Sequence, residues 1–420
     1  MTATPAPISA TLAINEEIAR RRAQGVDTVA LGFGEANIPV HASLIDRLAR
    51  HAGRGDYGPV AGAGELLAAA AGYWSRRGAA TDPDQVVAGP GSKPLLYAIF
   101  QALGGPIILP KPSWVSYAAQ NSLLHHETEL VATLPGQGGV PDPNRLAAVV
   151  QALKKEGRTP SAVLLTIPDN PTGTIAAPET VRRLCSVAED NDLTIISDEI
   201  YLDLIHAPGT PVRTPVSFAP ARTIVTTGLS KSLALGGWRI GLARFPQELD
   251  GLRRHVISAA SEIWSAPAQP IQQVAAWALT EPEELRSHVE ASRTLHGVVA
   301  RAVAEIFSSA GAVVAPPQAG FYLYPDFEPV RDRLVSAGIG TNRELASVLL
   351  TRHGVATLPG SAFSDDEDRL TLRVATPMLY GAGDQERGAA LASGDPVRLP
   401  WIERSLRLLE QAVQALVGQS

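Results

Sequence analysis

Residues 226–241, TTGLSKSLALGGWRIG, set Lys231 among small neutral neighbours and place Arg239 beyond a glycine pair. Lysine is scarce in this chain, confined to Lys93, Lys111, Lys154, Lys155 and Lys231, and arginine supplies nearly all the positive charge. An amine can serve as a nucleophile and carry a proton, whereas a guanidinium stays charged, so a lysine kept in this setting reads as a reacting group. From this segment alone, a solvated loop lysine is the alternative.

Four other short segments carry groups of complementary chemistry. Gly89-Pro90-Gly91-Ser92-Lys93 precedes a helix with Pro94 in its first turn, where a missing N–H costs nothing. Free amides at such an N-terminus favour an anion; a plain Gly-Ser turn is the other reading. Lys111-Pro112-Ser113-Trp114 puts an aromatic ring after a proline turn, able to cover a flat ligand or simply to pack at the surface. Pro168-Asp169-Asn170-Pro171 fixes Asn170 between prolines as a hydrogen-bond donor or as part of an Asx turn. In Ile195-Ile196-Ser197-Asp198-Glu199-Ile200-Tyr201 an apolar run ends on an acid, with a phenol three residues later. A buried acid needs a cation, although capping a helix would also explain Asp198.

The elements that must position these groups are legible as alternating patterns. Short apolar runs at 85–88, 106–109, 162–167, 193–197 and 223–227 read as strands. Between them Leu95, Leu96, Ile99, Phe100 and Leu103, and again Val181, Leu184, Val187 and Ala188, recur at helical spacing. Nearly continuous apolar strands alternating with helices predict an α/β domain with a mostly parallel sheet sandwiched by helices, and ligands collect at the carboxyl ends of such strands. Beyond about residue 285 the pattern becomes a long Ala/Val-rich helix followed by half-buried strands such as TLRVAT, which predicts a smaller α+β domain. The division expected is 1–45 as N-terminal arm and part of the small domain, 46–290 as the large domain and 291–420 as the small C-terminal domain. Residues 377–399, rich in Gly, Asp and Pro, read as a long loop before a final amphipathic helix at 402–416.

Size and composition bound the function. A chain of 420 residues exceeds one ordinary core, and 45% apolar with 19% charged residues is the balance of a globular protein. A net charge of −6 without a basic block argues against nucleic acid and anionic membrane as partners. The lone Cys185 cannot form an intrachain disulfide, the N-terminus has neither a basic region nor an apolar run, and a reducing cytoplasm is the expected setting. No metal-ligand spacing is present, so no metal is expected.

The groups at the five strand ends amount to an anion cradle, a stacking surface, a hydrogen-bond donor, a carboxylate, a phenol and an amine. Pyridoxal 5′-phosphate has features that answer all of them. In order and spacing, LGFGEAN, YGPVAGAGEL, GPGSKPLL, PSWVSY, PDNPTGT, SDEIYLDL, GLSKSLALGGWRIG, GFYLYPDF and LRVAT resemble the class I/II aminotransferases of pyridoxal-phosphate fold type I, the aspartate aminotransferase superfamily, over residues 12–376. The resemblance implies that Lys231 is the catalytic residue and the covalent attachment point of the cofactor. It further implies that Asp198 pairs with the pyridine nitrogen, that Tyr201 and Asn170 bond the 3′-oxygen, and that Trp114 stacks on the ring. Gly91, Ser92, Lys93, Ser230 and Arg239 would hold the phosphate, with Tyr57 reaching in from a second subunit of a homodimer. Gly34, Asn170 and Arg373 would face the substrate, Arg373 clamping its α-carboxylate through two parallel bonds.

Three departures qualify this picture. Gly228 occupies a position, three before the lysine, that is often Ser or Thr, leaving Thr227 or Lys93 to replace a phosphate contact. The usual GEPDF-like segment is Gly34-Glu35-Ala36-Asn37-Ile38, and 377–399 reads as an insertion that could cap the pocket or lie on the surface. The implied activity is ping-pong transfer of an amino group between an L-amino acid and a 2-oxo acid. Elimination, replacement, cyclisation or oxidation with the same cofactor is the alternative, because the cofactor's ligands are common to all of them. A sensing domain of a transcription regulator is the non-enzymatic alternative, and it calls for a basic helix-turn-helix segment that this sequence does not show. The 261–267 segment, expected to enter a neighbouring site, offers Trp264 and Glu262 but no arginine, which favours apolar, aromatic or basic donors over aspartate.

Overall fold

A strand with no polar alternation must be covered on both faces, and the computed structural model, which describes residues 9–418, places the apolar runs accordingly. After the short strand β1 (Val29–Ala30) come β2 (Val86–Gly89), β3 (Ile107–Lys111), β4 (Thr128–Leu134), β5 (Gln137–Pro141), β6 (Ala162–Thr166), β7 (Thr194–Asp198), β8 (Thr223–Gly228) and β9 (Gly241–Arg244). Strands β2 to β9 form one eight-stranded sheet in the order β2-β9-β8-β7-β6-β3-β4-β5. Its centre, from β8 through β4, is parallel, while β9 and β5 run antiparallel to their neighbours.

Successive side chains of the central strands alternate between two cores, as the pleat requires. Leu164, Ile196 and Ile224 join Leu95, Ile99 and Phe100 on one face, while Val163, Leu165 and Ile195 join Val181 and Leu184 on the other. Helix Ser92–Leu103 therefore covers one face and helix Pro178–Asp190 the other. Among the described residues no helix is long and apolar enough to cross a membrane.

The C-terminal part has a second core. Strand β10 (Tyr322–Leu323) lies beside β13 (Leu372–Ala375), which pairs in turn with β12 (Leu358–Pro359), all antiparallel. Strand β1 returns to this part of the molecule, pairing in parallel with β11 (Val355–Ala356). The 27-residue helix Glu283–Ser309 buries Leu295, Val299, Val303 and Phe307 along one stripe against it.

Two segments differ from the sequence-based expectation. Residues 377–399 are not a loop throughout: turns at Pro377–Leu379 and Pro396–Arg398 flank the helix Asp384–Ala392. That helix has only Ala390 fully buried and Gly388 inside it, so it shows no apolar stripe to read. The hairpin β4–β5 carries no clear strand pattern in the sequence, since half of it is the glycine-rich QGGVP and β4 is largely half-buried.

Close approach explains Gly228. It pairs with Gly241 across β8 and β9, and a Cβ there would lie 2.8 Å from the Ile240 carbonyl oxygen. A Cβ on Gly241 would strike the backbone of Gly91 and Ser92. The two glycines thus let β9 sit against the turn that precedes helix Ser92–Leu103. Gly228→Ser, which restores the more usual residue, is expected to lower stability by about 1–3 kcal/mol through backbone displacement. A thermal midpoint equal to that of the parent would contradict this.

Candidate active site

The carboxyl ends of β2, β3, β6, β7 and β8 open on one cavity of about 560 Å³. Its wall includes Ser92, Lys93, Trp114, Asn170, Asp198 and Tyr201, and beyond these Ser230, Lys231 and Arg239. Gly34 and Arg373 line it as well. Of the residues singled out from sequence, Gly91 and Tyr57 are not part of that wall. Gly91 caps helix Ser92–Leu103 and lies against the Arg239 guanidinium. Tyr57 is 83% exposed, outside this cavity.

Asp198 ends β7 in register with Thr166 of β6 and Thr226 of β8, so it is buried inside the sheet edge. The Tyr117 hydroxyl donates to its Oδ2 at 2.7 Å, and the Ile200 amide reaches Oδ1 at 3.3 Å. Burial nevertheless pushes the carboxyl up to about 6, the Tyr117 bond opposing that rise. Protein donors alone thus leave the charge under-compensated, and a cation facing it would hold it ionised.

On the other side, Lys231 Nζ donates to the Gly34 carbonyl oxygen at 2.5 Å. The ammonium lies 6.0 Å from the Tyr201 ring and 5.8 Å from the Phe321 ring. The Tyr201 and Tyr322 hydroxyls are 2.9 Å apart, and burial, then Tyr322, raise the Tyr201 phenol well above its usual range. Arg373 is only 1% exposed; its Nη2 donates to Gly32 O at 2.5 Å, while Nε has no partner. Asn170 is 4% exposed and its side-chain oxygen is likewise unpartnered.

At the third corner Arg239 adopts a left-handed backbone, φ 55°, after the turn Gly236–Trp238, and its Nη1 bonds Gly236 O at 2.8 Å. Lys93 comes from helix Ser92–Leu103, with its ammonium 5.0 Å from the Trp114 ring. Burial lowers its pKa, and the nearby charges of Arg239 and Lys231 add to that. Of the two proposed substitutes at the Gly228 position, Lys93 faces the cavity, whereas Thr227 is buried in β8 and does not line it.

Tyr117 and Tyr322 join the site although the sequence pattern does not single them out. Both lie within PSWVSY and GFYLYPDF, but their partners are remote in sequence. The helix Val115–Leu123 carries Tyr117 one turn from Trp114, a spacing that could have flagged it. No local signal marks Tyr322.

The donor set fits pyridoxal 5′-phosphate. An under-compensated acid suits a protonated ring nitrogen, Trp114, set at 81° to Tyr117, puts an aromatic side chain in the wall, and Arg239 with Ser92, Ser230 and a helix N-terminus suits a phosphate. Arg373 Nε, a donor, and Asn170 Oδ1, an acceptor, are buried polar atoms of the wall with no partner in the protein.

Comparison with known proteins agrees. The model of the family "Aminotransferase class I and II" matches residues 31–378. An aspartate/prephenate aminotransferase of Thermus thermophilus is 32% identical over 366 residues, 85% of this chain and 89% of that protein. An aspartate aminotransferase of Geobacillus stearothermophilus is 31% identical over 388 residues, 88% and 92% of the two chains. The solved structure of Thermus thermophilus aspartate aminotransferase with maleate superimposes with a TM-score of 0.81 at 28% identity, covering 97% of this chain and 100% of the other.

Tyr117→Phe removes the side-chain donor to Asp198 and is expected to raise that carboxyl's pKa further. With Asp198 as the partner of the ring nitrogen, cofactor affinity would be lost as pH falls through this pKa, because protonation would remove that charge. The midpoint of cofactor loss, followed by absorbance between pH 5 and 8, should therefore move upward by about one unit, roughly a tenfold weaker affinity near pH 6. An unmoved midpoint would show that Tyr117 does not set Asp198.

Proposed function

Because the chain belongs to the aminotransferase class I and II family, we propose that its cavity transfers an amino group between an L-amino acid and a 2-oxo acid by a ping-pong route, with a donor that carries a second acidic group. Pyridoxal-phosphate-dependent amino-group transfer is its activity, on the aspartate-aminotransferase-like fold, and the relatives favour that over elimination, replacement, cyclisation or oxidation. When bound, the cofactor supplies an electron-poor ring that accepts the electron pair left on the substrate α-carbon.

In this reading the chain's own residues divide the work by charge. Asp198 holds the positive charge at the ring nitrogen, Tyr201 and Asn170 bond the 3′-oxygen, and Trp114 covers the ring face. The amides at Gly91 and Ser92, with the side chains of Ser92, Ser230 and Arg239, hold the phosphate. Arg373 fixes the α-carboxylate beside Gly34, and Lys231 Nζ both carries the cofactor and moves the proton between substrate Cα and cofactor C4′. Positioned proton transfer of this kind contributes roughly 10²–10⁴-fold.

Lys93, placed with the phosphate by the sequence reading, is here reassigned to the substrate, because Arg239, Ser92 and Ser230 already face the phosphate; its charged neighbours are Arg239 and Lys231. Ser9 and Thr11 line the same cavity with hydroxyls. The donor proposal rests on this reassignment of Lys93, and it replaces the preference for apolar, aromatic or basic donors drawn from the 261–267 segment. The aspartate-using relatives support the same choice.

The proposal includes a homodimer with shared sites, supported by the exposed Tyr57, at 83%, and Ile263, at 56%. It keeps the division 1–45, 46–290 and 291–420, supported by the pairing of Val29 with Val355. A cytoplasmic setting, in which buried Cys185 stays a thiol, is part of it too.

Lys231→Ala should retain cofactor noncovalently, yield no reduced adduct on borohydride treatment and peptide mapping, and lose at least about 10²-fold in turnover. Turnover comparable to the parent would refute the assignment. Lys93→Met should lower kcat/KM for aspartate by about 10–100-fold, the loss of one charge-assisted bond, while alanine changes less than about threefold. An equal loss with both donors, together with weaker cofactor retention, would return Lys93 to the phosphate.

A further inference from the structure

The segment 32–38 is held at its start by the groups it serves. Gly32 O accepts from Arg373, and Gly34 O accepts from both Lys231 and, at 3.3 Å, Tyr322. Space here is tight, since a Cβ on Gly34 would lie 3.1 Å from Arg373 Nη1 and would strike the Tyr322 hydroxyl. A small shift of this backbone therefore changes the slot between Gly34 and Arg373.

The end of the segment is held by the stretch that follows β13. Asn37 is 7% exposed, has φ 49°, and donates from Nδ2 to the Pro377 carbonyl oxygen at 2.9 Å. Pro377 follows β13, the strand that presents Arg373. On either side of Asn37, Ala36 and Ile38 share one core with Leu379, Tyr380 and Ala390. Tyr380 is itself fixed, its hydroxyl 2.7 Å from His296 Nδ1 and its carbonyl accepting from Trp401 Nε1 at 2.9 Å. Residues 377–399 contribute nothing to the cavity wall, so they do not cap it; they back the segment that does.

We propose that Asn37 is a positioning residue that sets the spacing of the Gly34 carbonyl from Arg373, with 377–399 as its anchor. The proposal rests on the reading of Arg373 as the carboxylate clamp. Two demands meet at this position, a left-handed backbone and a side-chain donor facing a carbonyl, and asparagine satisfies both. Glycine keeps the backbone and loses the donor. Aspartate tolerates the backbone but sets an acceptor against an acceptor.

The test compares Asn37→Gly, Asn37→Asp and Arg373→Lys holoenzymes for kcat, for KM of donor and acceptor, for cofactor dissociation constant and for thermal midpoint. Asn37→Gly is expected to raise both KM values by about tenfold, because donor and acceptor share the α-carboxylate, with kcat within about threefold and cofactor affinity unchanged. Asn37→Asp should raise them further; if it does not fold, Asn37→Gly still decides. If Arg373→Lys raises both KM values and Asn37→Gly lowers only the thermal midpoint, the clamp stands and the positioning role is overturned. If Arg373→Lys leaves both KM values unchanged, the clamp and the proposal fall together.

Discussion

A carboxylate buried at the end of a central strand is the constraint around which this molecule is organised. Asp198 is 3% exposed in the middle of an eight-stranded sheet, where an uncompensated charge is costly. Tyr117, the Ile200 amide and the polar residues on the neighbouring strands satisfy it only in part, and its pKa stays raised. The remaining demand is for a cation in the cavity, and three other wall groups stand on the elements around that point. Trp114 lies one helical turn from Tyr117, Asn170 follows the strand next to Asp198, and Lys231 follows the strand on its other side. Trp114, Asn170 and Lys231 are thereby grouped around a single buried acid by the order of the strands.

The second organising contact is the carbonyl of Gly34, where the two halves of the molecule meet. Lys231 from the sheet and Tyr322 from β10 converge on one oxygen, and Arg373 from β13 reaches the adjoining backbone. Away from the cavity, Lys111 Nζ bonds Asp366 Oδ1 at 2.6 Å and the Ser113 amide bonds Phe363 O at 2.9 Å, joining the end of β3 to the C-terminal part. Trp114 therefore sits on a turn anchored to both halves. The Arg373 guanidinium and the Trp114 ring are positioned by elements that belong to different cores, which makes their relative placement a property of the whole fold.

Stability and chemistry compete at the same strand ends. Asp169, beside Asn170, is buried with Oδ1 unpartnered, and burial pushes it up to about 7. Glu199, beside Asp198, is likewise pushed up to about 7 by burial, against a hydrogen bond from Ser197. In the unfolded chain these carboxyls lose their protons at lower pH, so the native state binds more protons between roughly pH 4 and 7 and stability falls as pH rises through that window. Sites that gather buried acids for function carry this cost because the sheet cannot both exclude water and hydrate them.

The alternation of apolar strands with helices was legible in the sequence because it is a local code, written in periods of two and 3.6. So were the chemical groups at the strand ends, since turn residues and small neighbours mark them within a few positions of the strands that present them. The hairpin β4–β5 and the helix Asp384–Ala392 were not legible, lacking a buried stripe of their own. Tertiary structure alone decided that Tyr117 faces Asp198 across a separation of 81 residues and that Asn37 faces Pro377 across 340. It also decided that Lys93 points into the cavity beside two other cations. Such pairings come from the order in which strands assemble, and no window of sequence encodes that order.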